Sequence, residues 1–170
     1  MEIIESSLSS FKTISAEDKK GRLKSRAKIE SFEMALKDAI GSETGCKDEL
    51  NDNGLKEYFA DGAYIRELFI PADMIVVSKL WNRERFWIIT EGDVTFTTEL
   101  GSQRVKAPYF NMAPFGTKVA LYTHSDTRWF AITGADSTNN EDVEKEVMAK
   151  DYSECVYPWD LIKNDEENKQ

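Results

Sequence analysis

Turn-forming residues divide the middle of this chain into short segments, and this spacing constrains the fold more than any other feature. From Ala63 to Thr133 the sequence is rich in Val, Ile, Thr and aromatic residues. Short strands bounded by turns roughly every 8–12 residues are typical of a β-sandwich or barrel. No helix-length periodic segment separates the strands, so a parallel α/β sheet is not expected. The breaks fall at Pro71-Ala-Asp, Asn82-Arg-Glu, Glu91-Gly-Asp, Leu100-Gly-Ser, Ala107-Pro, Ala113-Pro-Phe-Gly and Ser125-Asp.

Helical patterns flank this region on both sides. An amphipathic helix is predicted over Ala16–Ile40, where apolar residues recur every three or four positions. Ser15 can cap its start, and Gly41 follows its end. A short helix is predicted after Asn139, with Val143 on its apolar side. The chain thus divides into an N-terminal helical extension and loop at 1–61, a barrel core at 62–134, and a C-terminal helix and tail packed on the barrel at 135–170.

The charge balance narrows the possible partners. The 170 residues carry a formal net charge of -9, which phosphate backbones and anionic membrane surfaces repel. We therefore expect neither nucleic acid nor a membrane as a partner. Cys46 and Cys155 are far apart in sequence and in no metal-ligand spacing, which fits two free thiols in a reducing compartment. The alternative is a single disulfide between them. The first residues show no basic region followed by an apolar run, so no secretory signal is expected.

Two segments resemble the paired motifs of the cupin superfamily. The chain reads MIVVSKLWNRERFWIITEG up to Gly92, and PYFNMAPFGTKVALYT from Pro108 to Thr123. Gly92 matches the glycine of the first motif, while Pro114 and Gly116 match the P-x-G of the second. The resemblance implies a mainly β fold: a single cupin-type double-stranded β-helix, or jelly-roll barrel, with an N-terminal amphipathic helix and a short C-terminal helix.

Several short motifs in order between Tyr58 and Ala149 look more specifically like small cupin-like proteins encoded by tailed bacteriophages. This resemblance implies a location in the host cytoplasm or the virion. It also implies other phage or virion proteins as partners, besides further copies of the same chain.

The metal-binding positions of the cupin motifs hold other residues here. Arg85 stands where the glutamate of the first motif is expected, and Val119 where the histidine of the second is expected. The H-x-H window contains Trp81 and Arg83. Arginine and valine supply no lone pair to a cation, so we expect no metal and no other cofactor.

The replacements suggest a different kind of site. If the ligand positions point inward, Lys79, Trp81 and Arg83 share the interior face with Arg85 and Trp87 of the next strand. Such a pocket would bind a small anion or stack on a planar ring. The alternative is that the tryptophans fill the barrel mouth, while the charged groups reach solvent or pair with Glu67, Glu84 or Glu91.

Three functions follow from this pattern. The leading hypothesis is a non-catalytic protein acting in assembly or binding, as a bacteriophage accessory or virion component. The second is a sequestering protein that holds a small anionic or planar ligand. The third is an enzyme similar to metal-free sugar epimerases, in which His124 would pair with Asp126. The helix at Ala16–Ile40 either packs across the barrel edge or projects to mediate self-association.

Overall fold

The computed structural model describes residues 16–40 and 54–155. Two helices, α1 (Ala16–Ile40) and α2 (Asn140–Val147), flank a region of strands in these ranges, and a 3₁₀ turn at Tyr152–Glu154 follows. The strands are β1 (Leu55–Ala60), β2 (Ala63–Ile70), β3 (Ile75–Val77), β4 (Leu80–Trp81), β5 (Arg85–Glu91), β6 (Asp93–Thr98), β7 (Gly101–Lys106), β8 (Tyr109–Ala113), β9 (Ala120–Thr123), β10 (Thr127–Gly134) and β11 (Met148–Ala149).

The strands form two antiparallel sheets whose order is that of a jelly roll. The five-stranded sheet runs β1-β2-β10-β5-β8, and the four-stranded sheet runs β3-β9-β6-β7. Apart from the hairpins β1–β2 and β6–β7, the chain crosses between these two sheets from strand to strand, as in the double Greek key of an eight-stranded jelly roll. A small third sheet pairs β4 with β11. The predicted mainly β barrel with two flanking helices is confirmed.

Strand β1 extends the barrel beyond its predicted boundary. It pairs with β2 along its whole length, from Leu55↔Leu68 to Ala60↔Ala63. The five-stranded sheet therefore starts at Leu55, upstream of the barrel boundary predicted at residue 62.

The motif glycine Gly92 has a steric reason to be glycine. It joins β5 to β6 with a backbone φ of 112°, which L side chains rarely adopt. A Cβ atom there would meet Thr127 Oγ1 at 2.3 Å and the Asp126 carbonyl oxygen at 2.8 Å. The turn between these strands thus closes only without a side chain.

The core lies between the two sheets and is rich in aromatic rings. Trp87 packs edge-on against Trp129, with ring centroids 5.2 Å apart, and against Phe96 at 5.6 Å. Tyr64 and Ile89 are fully buried beside them. These residues come from both sheets and belong to one core cluster.

Helix α1 docks on the four-stranded sheet through ion pairs more than through an apolar stripe. Its buried residues include Ile29 and Arg26, and Arg26 hydrogen-bonds to the buried Glu99 beyond β6. Glu33 pairs with Lys118 in the same way. Leu23 is 50% exposed, so the predicted apolar face is not wholly covered. Of the two predicted arrangements of this helix, packing on the barrel is the one observed.

Helix α2 closes one end of the barrel. The side chain of Asn139 caps it by accepting a hydrogen bond from the Asp142 backbone N–H, as the sequence predicts. Val143 and Val147 are fully buried and join the core. Ser15, Gly41, Cys46 and the tail after residue 155 lie outside the described residues.

Candidate functional site

Arg85 carries a positive charge into the barrel. It is the first residue of β5, whose alternating burial turns Arg85, Trp87 and Ile89 inward. Only 3% of Arg85 is exposed. The inward position predicted for this arginine is the one observed.

Two indole rings and one carbonyl group surround the guanidinium. Its Cζ lies 4.7 Å from the ring centroid of Trp81 and 5.2 Å from that of Trp87. Both distances fall within the range of cation–π attraction. Nη2 donates a hydrogen bond to the Thr117 carbonyl oxygen at 3.2 Å. Nη1 is buried and has no hydrogen-bond partner within the described parts of the chain.

Among residues 16–40 and 54–155, no carboxylate pairs with the Arg85 guanidinium. Burial is the cause that lowers its pKa, to about 9. It therefore stays protonated at neutral pH, with a net positive charge in the barrel interior. Elsewhere the chain matches a buried arginine with an acid, because Arg26 pairs with Glu99.

The second cupin-like motif holds Trp81 over Arg85. Trp81 belongs to β4, which is tied to β11 by the pairs Met148↔Trp81 and Ala149↔Leu80. The Gly116 N–H donates to the Trp81 carbonyl oxygen at 2.8 Å. The Pro114-x-Gly116 turn thus positions both the indole of Trp81 and, through Thr117, the carbonyl that binds Arg85.

Lys79 and Arg83 lie outside the barrel, so their predicted place on the interior face is wrong. The Lys79 side chain is 40% exposed and its Nζ contacts Glu144 at 2.6 Å. Arg83 is 46% exposed and contacts Glu146 at 3.2 Å. Alternation fails here because Lys79 falls between β3 and β4 and Arg83 follows the end of β4. Their partners belong to α2, not to the acids predicted for them.

The residues at the cupin metal positions do not fit a metal ion. The buried cation of Arg85 would repel a divalent ion, and Trp81 and Val119 offer no ligand atom. Within residues 16–40 and 54–155, no group of three or more His, Cys, Asp and Glu residues is placed to hold one.

His124, the candidate catalytic histidine, contacts Thr95 instead of Asp126. His124 Nε2 lies 2.9 Å from Thr95 Oγ1, and the ring packs edge-on against Tyr122. Asp126 Oδ1 instead accepts a hydrogen bond from the Ala72 backbone N–H at 2.9 Å. The pair of His124 with Asp126 is therefore not formed.

An apolar patch on the outside of the five-stranded sheet was not predicted from the sequence. Phe110 is 63% exposed and Met112 is 52% exposed. Phe86 stacks on Phe110 with ring centroids 5.5 Å apart. The residues pair in register across β8, β5 and β10. We call this surface the outer face; it consists of Phe86, Ile88, Phe110, Met112, Phe130 and Ile132.

The charges beside the outer face are paired. Glu67 of β2 accepts a hydrogen bond from the Tyr58 hydroxyl at 2.7 Å and pairs with Arg128. The Tyr58 hydroxyl, and then Arg128, hold the pKa of Glu67 below its usual range. Arg128 Nε also lies 3.7 Å from Glu91.

In the part of the chain that the structure describes, no helix is long and apolar enough to cross a membrane.

Comparisons with known proteins give structural matches only. The sequence matches no protein-family model and no curated protein. An RmlC-like cupin with a double-stranded β-helix fold from Methanocaldococcus jannaschii is 18% identical, with a TM-score of 0.42 over 47% of this chain and 77% of that one. A cupin superfamily protein from Desulfitobacterium hafniense is 15% identical, with a TM-score of 0.42 over 49% and 80%.

A third match covers slightly more of both chains. KdgF from a Halomonas species is 9% identical, with a TM-score of 0.43 over 54% of this chain and 87% of that one. Structural similarity at these identities and TM-scores does not by itself identify a function. The fold rests on the strand order of the two sheets.

Proposed function

We propose that this protein is a non-catalytic assembly protein whose copies associate through the outer face. The observation that carries the proposal is the exposed, stacked pair of Phe86 and Phe110, with Met112 beside it. Large side chains clustered on one exposed face mark interaction sites in proteins of this size. Aromatic residues and methionine are also enriched in protein interfaces.

The charges near the outer face permit a second copy of the chain as the occupant. The chain carries a net charge of -9, so two copies repel each other over most of their surfaces. The outer face is apolar, and Glu67 beside it is neutralised by Arg128. Two acidic copies can therefore meet here with little electrostatic cost.

The dimensions of the sheet suit a weak dimer. The outer face covers three of the five strands; the whole sheet, with strands about 4.8 Å apart and eight residues along β10, measures roughly 20 by 27 Å. Contact over the whole sheet would bury roughly 540 Å² per partner, which is below the roughly 800 Å² of a standard interface and within the range of weak ones. Face-to-face stacking of the same sheet from two copies would be an isologous, two-fold contact.

Sedimentation velocity on Phe110→Glu tests the proposal. A charge placed within a two-fold apolar contact should weaken association by at least about 2 kcal/mol, or roughly thirtyfold in Kd. Ile75→Glu is the matched control, since Ile75 is 43% exposed but lies on β3 of the other sheet. A wild-type chain that stays monomeric at high concentration, or equal effects of the two variants, would overturn the proposal.

The setting of this assembly stays a prediction. The role as a bacteriophage accessory or virion component rests on the resemblance of the sequence motifs alone. Co-purification of the protein with intact particles from an infected host would support it, and its absence from particles would favour a role in the host cytoplasm.

A further inference from the structure

We propose that the barrel interior binds a small carboxylate anion at Arg85. Removing a charge from water costs several kcal/mol unless a partner compensates it. Arg85 is 3% exposed and has no acid partner among the residues that the structure describes, whereas the similarly buried Arg26 pairs with Glu99. The missing negative charge at Arg85 is therefore one that a ligand can supply. This inference is independent of the association through the outer face.

The free donors of Arg85 define the chemistry of the ligand. Nη2 has two hydrogens and gives one to the Thr117 carbonyl oxygen, while Nη1 gives none. The edge of the guanidinium thus offers the parallel N–H pair that a planar carboxylate accepts in a bidentate manner. A tetrahedral dianion such as phosphate carries more charge than one arginine neutralises and needs more donors.

The surroundings limit the size of the ligand. The indoles of Trp81 and Trp87 contact the guanidinium and form apolar walls suited to a short hydrocarbon body. Trp81 is only 4% exposed, so a ligand reaches Arg85 by displacing it. Trp81 sits on β4, a two-residue strand paired only with the two residues of β11 and bridged to Thr117. We therefore restrict the proposal to a monocarboxylate the size of acetate or propionate.

Titration with sodium acetate tests the proposal. The protein is kept in a buffer free of carboxylates, and sodium chloride holds the ionic strength constant. We expect a saturable rise in Tm with acetate, because a ligand bound only to the folded state stabilises it. The tryptophan fluorescence should change over the same concentrations, since two indoles contact the site. Acetate that acts no differently from chloride would overturn the proposal.

Two variants assign the effect to Arg85. Arg85→Met should abolish the response to acetate, while Arg83→Met, the exposed neighbour, should keep it. Arg85→Lys serves if the methionine variant does not unfold cooperatively. It keeps the charge but lacks the planar fork, and it should bind acetate at least tenfold more weakly. A wild-type response in either Arg85 variant contradicts the site.

Inorganic phosphate separates the two classes of anion. We expect no saturable response to phosphate at the ionic strength that gives half-saturation with acetate. An equal response to both anions would show a general anion site and would overturn the carboxylate class.

Discussion

Arg85→Met should raise the free energy of unfolding of the ligand-free protein. The lowered pKa of Arg85, about 9 instead of 12.5, corresponds to about 5 kcal/mol against the buried charge. Cation–π attraction to Trp81 and Trp87 offsets about 2 kcal/mol of this. The hydrogen bond to the Thr117 carbonyl offsets about 2 kcal/mol more. The substitution removes all three effects and adds apolar burial, so we expect a gain of about 1–3 kcal/mol.

Urea unfolding at pH 7, followed by circular dichroism in a buffer without carboxylates, measures this gain. Arg83→Met is the control, because its exposed ion pair with Glu146 is worth about 1 kcal/mol or less. A loss of stability in Arg85→Met that clearly exceeds the loss in the control would refute the reasoning. It would mean that Arg85 stabilises the folded barrel without a bound anion.

Two further predictions concern the barrel and its helical cap. Gly92→Ala should cost about 3 kcal/mol more than Gly101→Ala in the same urea assay. Both positions have positive φ, but only at Gly92 would an added Cβ meet Thr127 and backbone atoms, while Gly101 faces open space. Equal losses of stability in the two variants would contradict the clash. The Ser137 hydroxyl, and then the backbone N–H groups of residues 136 and 137, lower the pKa of Glu146 to about 2. Its contribution to stability is therefore present above pH 4.5 and lost as the pH falls from 4.5 towards 2. The Tm of the wild type should fall more steeply over that window than the Tm of Glu146→Gln, with Glu141→Gln as the control, and parallel curves would count against it.

The fold could be predicted where local chemistry decides it. Turn residues set the strand breaks, and the structure bears out the motif glycine Gly92, the Asn139 cap and the bounds of the helix at Ala16–Ile40. Strand β1 was missed because LKEYFA is short and carries charges on both sides of its alternation. Its place in the sheet comes from pairing with β2 rather than from its own sequence.

The candidate site could be predicted only where the strand is regular. Period-two alternation placed Arg85 and Trp87 inward correctly, because β5 is continuous through both residues. The same rule failed for Lys79 and Arg83, which lie beyond strand ends. The outer face was overlooked because apolar residues occupy both faces of β5 and β8. A strand of this type is typical of a sheet with two contacts, and Phe86 with Phe110 could have been recognised from it.

Hydroxyl-radical footprinting across a range of protein concentrations tests the association through the outer face most directly. Met112 lies on the outer face and is 52% exposed. Met34 is 66% exposed and lies on α1, which packs on the other sheet. Methionine oxidation reports solvent access at each residue, and the ratio of the two corrects for radical dose. We predict that oxidation of Met112 relative to Met34 falls as the concentration rises through the Kd of the dimer. A constant ratio in samples that sedimentation shows to be dimeric would contradict an interface at the outer face.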